Sequence, residues 1–398
     1  MVRNGADRGH PEAGGGTASL MREGGFSVIT AAHPYSRSGG PSFRHHLREL
    51  VRRTPYDALH WFEMHAGVRD AALVAAVERR AFIWTVTSGG LPPGYLGLNR
   101  VAVYTEEVAQ DARRRSPKTT VHVLPARMDL RSLDEAFVAR ARREIRGHLA
   151  IVDGEQLIVR VARCSSVYLR SILAGIELAQ RLTQTGRAAR FLHAGYVEDP
   201  GVAAEIRRAV TQANASSGRT LAWSLTDDLE TGTRYAAAAD VCIGSGRSAI
   251  EAVALGQPTL VAWGSRYLGL VDRDSLEAIA TTNFQGRHTA RVMSADETVD
   301  RMQQAVLRRW SDPNAAARTH DACARYIRAR YSVESAAEAY ERLYSDRTVS
   351  VDGFLKYYAS PRHLGREVFH RLPPGIRHSR PLGWLRRAGL WPGLPGTD

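Results

Sequence analysis

Lysine is almost missing from this chain: of its 398 residues only Lys118 and Lys356 are lysines, although Lys and Arg together number 54 against 41 acids. The formal net charge of +13 is therefore carried almost wholly by guanidinium groups, which stay protonated and grip planar oxyanions with paired N–H donors. A coding bias toward Arg explains this as readily as an anionic partner does. Cysteine is scarce too. Cys164, Cys242 and Cys323 are widely spaced and odd in number, which fits neither a disulfide framework nor a zinc cluster and implies a reducing, cytoplasmic compartment. No run of about 18 apolar residues occurs, so no segment is expected to span a membrane. Residues 1–24 lack the apolar stretch of a secretory signal and read as a disordered polar lead-in, with Met21 an alternative start. Zinc-finger spacing and aromatic RNA-binding signatures are missing, so nucleic acid is not an expected partner.

What remains is ordinary globular composition, 44% hydrophobic, at a length sufficient for two α/β domains. A strand is expected at 26–32, followed by a turn-forming stretch to Gly40 and a helix on which Phe43, Leu47, Leu50 and Val51 recur, with Ser42 placed to cap it. Strands at 58–62, 81–87, 101–104 and 121–124 alternate with helices at 68–80 and 106–115, the pattern of a parallel sheet. A polar helical bridge is expected over 129–148. Alternation then resumes, with strands at 157–161, 189–194, 220–223, 240–243 and 259–263 and helices at 169–182, 202–213 and 247–255. The fold class is thus α/β, two Rossmann-like doubly wound domains facing a cleft, and ligands of such sheets sit beyond the carboxyl ends of the strands.

The most informative segment is Ala239 to Trp263, ADVCIGSGRSAIEAVALGQPTLVAW. It reads as a strand, a Gly-Ser-Gly turn, a short helix, a Gly-Gln-Pro stop and another strand. Gly244 and Gly246 would let backbone approach a phosphate, Ser245 lies between them, and the helix N-terminus that follows attracts an anion. Arg247 and Ser248 would add hydrogen bonds, and Glu251 would reach a ribose. Chain geometry alone also accounts for a glycine-rich turn.

Several segments resemble the retaining glycosyltransferases of family 4, which have the GT-B fold. Gly244 to Pro258 is similar to their donor motif, Leu157 to Arg163 (LIVRVAR) to the strand ending in a diphosphate-binding Arg, and Phe191 to Gly195 (FLHAG) to a strand ending in Gly. Gly39 and Gly40 resemble the glycine loop that approaches the donor, and Val121 to Asp129 (VHVLPARMD) the interdomain stretch. The resemblance covers roughly Phe26 to Tyr344, in order. It implies an acceptor domain at 25–128, a donor domain with its return helix at 129–345 and a basic aromatic extension at 346–398. It further implies a nucleoside-diphosphate sugar as co-substrate, with no cofactor and no metal. Arg163, Arg170 and Glu251 would be catalytic. Gly39, Gly40, Arg163, Gly244, Ser245, Gly246, Arg247, Ser248 and Glu251 would bind the donor. Ile243 stands where the family often has a second glutamate, Thr87 and Ser88 replace a histidine, and Arg170 substitutes for a lysine.

Weaker candidates are Asp272-Arg273-Asp274, with metal-binding spacing but placed after a loop; Asn283 to Arg287 (NFQGR), in which Arg287 closes over the cleft or the loop is a plain anchor; and His33, beside the glycine loop. His45 and His46 are expected to face solvent. From Gly353 to Asp398, eight Lys and Arg face two acids among aromatic residues, which suits peripheral contact with an anionic membrane face. Pro373, Pro374, Pro381 and Pro392 break any long helix there, which allows a tail packed on the domains instead. The acceptor is a cell-envelope glycan, a lipid carrier or a secondary metabolite. A nucleotide-sugar epimerase and a non-catalytic binding protein are the alternative readings, the second prompted by the missing Lys and Glu.

Overall fold

The computed structural model describes residues 2–4, 29–31, 43–54, 56–62, 68–87, 100–117, 119–217, 222–225, 229–286 and 290–345. The polar stretch after Asn4, Ser42, Gly39, Gly40, His33, Arg287 and the basic extension lie outside them. Backbone contacts divide the chain into two compact units: Met1–Val103, Val108–His122 and Arg342–Asp398 in one, Tyr104–Glu107 and Val123–Glu341 in the other.

In the first unit, β1 (Val2–Asn4) pairs in parallel with β2 (Ile29–Ala31). Part of the lead-in expected to be disordered is therefore ordered, because the open edge of β2 offers backbone partners. Then follow α1 (Phe43–Arg53), β3 (Ala58–Phe62), α2 (Val68–Val77), β4 (Ala81–Val86), β5 (Arg100–Val103), α3 (Glu106–Arg115) and β6 (Thr120–Val123). The sheet order is β3-β4-β5-β6, with Ala58 opposite Ala81 and Trp84 opposite Val101 in parallel register. Leu47 and Val51 of α1 pack on Ala71 and Val74 of α2, the apolar stripe that the periodicity predicts. The helix expected to reach Arg80 stops at Val77. Arg79 takes φ 53°, and the N–H groups of Arg79 and Arg80 turn back onto Ala76 and Ala75.

The second unit contains α4 (Glu135–His148), β7 (Gln156–Val161), α5 (Ser166–Gln184), β8 (Ala189–Gly195), α6 (Pro200–Ser217), β9 (Ala222–Leu225), α7 (Leu229–Ala238), β10 (Val241–Gly244), α8 (Arg247–Ala254), β11 (Thr259–Trp263), β12 (Arg266–Leu270), α9 (Leu276–Thr281), α10 (Ala295–Ser311), α11 (Pro313–Tyr331) and most of α12 (Val333–Ser345). The expected bridge helix begins only at Glu135. Asp134 accepts the Phe137 N–H as its N-cap at 2.7 Å, while Met128 is held earlier by the Tyr331 carbonyl. The six strands run β12-β11-β10-β7-β8-β9, parallel except for β12. Alternate residues face opposite layers. Leu157 and Val159 join a core with Ile250 and Ile327, whereas Ile158 joins one with Ile172 and Ile206. Each such fully buried side chain contributes roughly 1.5–3 kcal/mol.

Candidate functional site

The second sheet grows in two directions from its middle. From β7 the chain winds outward through β8 and β9, then returns to β10 on the other side of β7 and winds outward through β11. The crossover connections after β7 and β10 leave toward opposite sides, so a crevice opens at their carboxyl ends. Ile243 stands beside Arg160 in register, so the Arg163 loop and the Gly244–Ser248 turn emerge from the same edge. This brings together two segments far apart in sequence.

The turn is built tightly. A Cβ on Gly244 would lie 2.7 Å from the Cα of Ala249, so the absent side chain lets α8 start directly over the strand end; helix packing accounts for this glycine without a ligand. Gly246 is the N-cap residue at φ 57°, left-handed backbone that favours glycine, and its N–H donates to the Phe284 carbonyl at 2.8 Å. The Ser245 N–H donates to Ser248 Oγ at 3.1 Å. The backbone N–H groups of Arg247 and Ser248 have no partner among the described residues, and these two donors point out of the positive end of α8.

Glu251 lies one turn into α8 with both carboxylate oxygens engaged. Oε1 accepts from Arg247 Nε at 2.6 Å and Oε2 from the Thr233 hydroxyl at 2.9 Å. The carboxylate is nearly buried and Arg247 is 76% exposed, so this pair joins a fixed acid to a movable cation. At its other end α8 closes on Gly256, whose N–H and that of Gln257 return to the carbonyls of Val253 and Ala252. Arg328 adds a hydrogen bond to the Ala254 carbonyl at 2.9 Å.

Beside the turn lies a residue that sequence reasoning passed over. Arg160 is fully buried on the α5 side of the sheet. All five of its N–H donors are used: Ser171 Oγ accepts two, and the carbonyls of Val161, Ile243 and Ala262 accept the others at 3.1–3.3 Å. No carboxylate balances it among the described residues, and burial lowers its pKa to about 10, so it remains charged at neutral pH. The signal was an Arg inside the apolar run LIVRV. His193 on β8 is equally enclosed. Because a carbonyl can only accept, Nε2 donates to Ala162 O at 2.8 Å, which leaves Nδ1 to accept from the Cys164 thiol at 3.8 Å. Burial, with the nearby Arg160 charge, lowers the pKa of His193 to about 4, so the ring stays neutral and pins the loop that carries Arg163.

Arg163 pairs with Glu198 at 3.0 Å and lies over the Tyr168 ring at 5.7 Å. Arg170, further along α5, instead lines a groove against α6 and the start of α10 and makes no hydrogen bond or ion pair with a described residue. Arg163 thus follows the strand that neighbours β10, whereas Arg170 lines a separate groove. Asp272 follows the end of β12 rather than a loop, and its Oδ1 accepts the Ser275 N–H at 2.8 Å. Among the described residues no group of three or more His, Cys, Asp or Glu is placed to hold a metal ion. Asn283 and Phe284 both have positive φ, 49° and 59°, costly for Phe, and the turn they form supplies the carbonyl that holds Gly246. His45 and His46 are exposed on α1. No helix among the described residues is long and apolar enough to cross a membrane.

No protein-family model matches the chain, and no curated protein matches it. Solved structures do. A glycosyltransferase from Rickettsia africae is similar with a TM-score of 0.63 at 14% identity, over 87% of this chain and 97% of that one. An Anabaena protein solved in complex with UDP and glucose follows at 0.57 and 12%, over 83% and 89%. Sucrose-phosphate synthase from Thermosynechococcus elongatus gives 0.54 and 19%, over 86% and 97%. At these identities the likeness shows the fold, the GT-B arrangement of two Rossmann-like domains.

Proposed function

We propose that this chain is a glycosyltransferase that holds a nucleoside-diphosphate sugar in the crevice between β7 and β10. The observation that carries this reading is the juxtaposition there of Arg163, the two open N–H donors of Arg247 and Ser248, and the unbalanced charge of Arg160. As the bond from the anomeric carbon to the diphosphate breaks, its electron pair passes to a phosphate oxygen, and fixed donors and cations stabilise that growing charge. No metal is needed for this step. Glu251 accepts a ribose hydroxyl in exchange with Arg247, which is exposed enough to swing away. The co-substrate is UDP-linked, as suggested by the Anabaena protein of the same fold, solved with UDP and glucose and also with UDP-glucose. Transfer proceeds with retention to a cell-envelope glycan, a lipid carrier or a secondary metabolite, and the basic character of the C-terminal extension suits an anionic membrane face.

Calorimetric titration with UDP tests the reading. A charge-assisted contact is typically about 1.5–3 kcal/mol, so Arg163→Ala should weaken UDP roughly tenfold to a hundredfold. Unchanged affinity would remove Arg163 from the site. Loss of sugar transfer in EDTA, restored by Mg²⁺, would end the metal-free mechanism.

A further inference from the structure

Beside β12, the outermost strand of the six-stranded sheet, lies a cavity of about 830 Å³ walled by β12, α10 and α11. Strands β11 and β10 separate β12 from β7, so this cavity is distinct from the crevice. Its most telling group is Tyr267. The ring packs into the apolar layer, and the residue is only 7% exposed, yet its hydroxyl has no partner among the described residues. Burial raises its pKa, so the hydroxyl keeps its proton and presents a donor, with the charges of Arg308 and Arg301 acting on it. Native proteins seldom leave such a group without a partner.

The carboxylates around the cavity are committed elsewhere. Glu297 is paired with Arg291 and, at 3.2 Å, with Arg301; Asp300 is paired with Arg181 at 2.5 Å. Asp272 Oδ1 accepts from the backbone at Ser275. Arg309 donates to His320 Nε2 at 2.6 Å, burial holds that imidazole near 4 and thus neutral, and Asp312 acts on Arg309. Arg308 remains, exposed on the cavity wall, with no side-chain hydrogen bond or ion pair to a described residue. An uncommitted guanidinium and a buried hydroxyl donor together suit a group with three acceptor oxygens better than a carboxylate with two.

We propose that this cavity binds a phosphate group, free or carried on a small metabolite, with Arg308 pairing to the oxyanion and Tyr267 donating its O–H to it. The proposal does not rest on the nucleotide crevice. Calorimetric titration with sodium phosphate and with glucose 6-phosphate, in saturating UDP and at matched ionic strength, tests it. Saturable binding is expected in the parent protein and in Arg163→Ala, with at least tenfold loss in Tyr267→Phe and in Arg308→Ala. Tighter binding of glucose 6-phosphate supports a metabolite as the source, and equal or weaker binding supports the free ion. Melting curves of the two variants guard against misfolding. Tyr267→Phe removes only an unpaired hydroxyl, and Arg308 is exposed, so should one variant melt early the other decides. Absence of saturable binding, or equal affinity in both variants and the parent, overturns the proposal.

Discussion

Arg160→Met tests whether the buried cation acts on the nucleotide or only stitches strands together. The substitution roughly keeps volume while removing the charge and all five donors, which strands the carbonyls of Val161, Ile243 and Ala262. Each buried acceptor left unpaired costs about 1–3 kcal/mol. Against this, a guanidinium whose pKa has fallen to about 10 is itself held at a cost of roughly 3 kcal/mol, which the variant recovers. Three such losses less that recovery leave a net loss of stability of roughly 0–6 kcal/mol, about 3 kcal/mol at the centre. Binding has no such offset. A unit charge on the order of 8 Å from a diphosphate charge contributes about 2 kcal/mol at an effective dielectric of about 20, so UDP affinity should fall roughly thirtyfold. Urea unfolding and calorimetry on Arg160→Met and Arg160→Lys measure both quantities, and the lysine variant should regain most of the affinity because it retains the charge. If Arg160→Met bound UDP within twofold of the parent while losing stability, the residue would be a structural stitch.

His193 and His320 are held near 4 in the folded chain against about 6.5 unfolded, so the unfolded state binds more protons between those values; stability should be full above about pH 6.5 and fall by roughly 1.4 kcal/mol per pH unit per histidine toward pH 4. Urea midpoints at pH 7.5 and 5.5 read this directly, and equal midpoints would refute it. Gly244→Ala places a Cβ against the backbone of Ala249, so α8 must shift; melting several degrees lower together with weaker UDP binding is expected, and an unchanged protein would mean the turn is looser than described. Glu251→Gln should lower sugar transfer at least tenfold with little change in melting temperature. Should it melt lower at full activity, the carboxylate serves only to tie Thr233 to α8.

The second sheet was largely legible because its strands are short apolar runs broken by Gly and Pro, and the boundaries of β11 and the Gly-Ser-Gly turn follow from that punctuation. Helix α7 was not read, since its buried side, Ala236 to Ala238, is too small to give a strong apolar period. Nor were β12 and α9 to α11. The Arg163 loop and the Gly-Ser-Gly turn could be named as partners, but not the neutral His193 that fixes the first or the Phe284 carbonyl that fixes the second. Those contacts depend on which strands are neighbours, and spacing along the chain does not encode that. The reason for Gly244 was also hidden, since crowding by Ala249 exists only after α8 has docked.

Helix α8 is only two turns long, a length at which an isolated helix would fray at both ends. Here the preceding Gly246 is fastened to Phe284, and the C-terminal end is fastened by Gly256, Gln257 and Arg328. With both ends tied, local opening has nowhere to begin. Amide hydrogens from Ala252 to Leu255 should therefore exchange only when the whole unit unfolds, while those of Arg247 and Ser248 exchange freely until an anion covers them. The ordering entropy of this turn is then spent during folding and is not charged again when a ligand arrives.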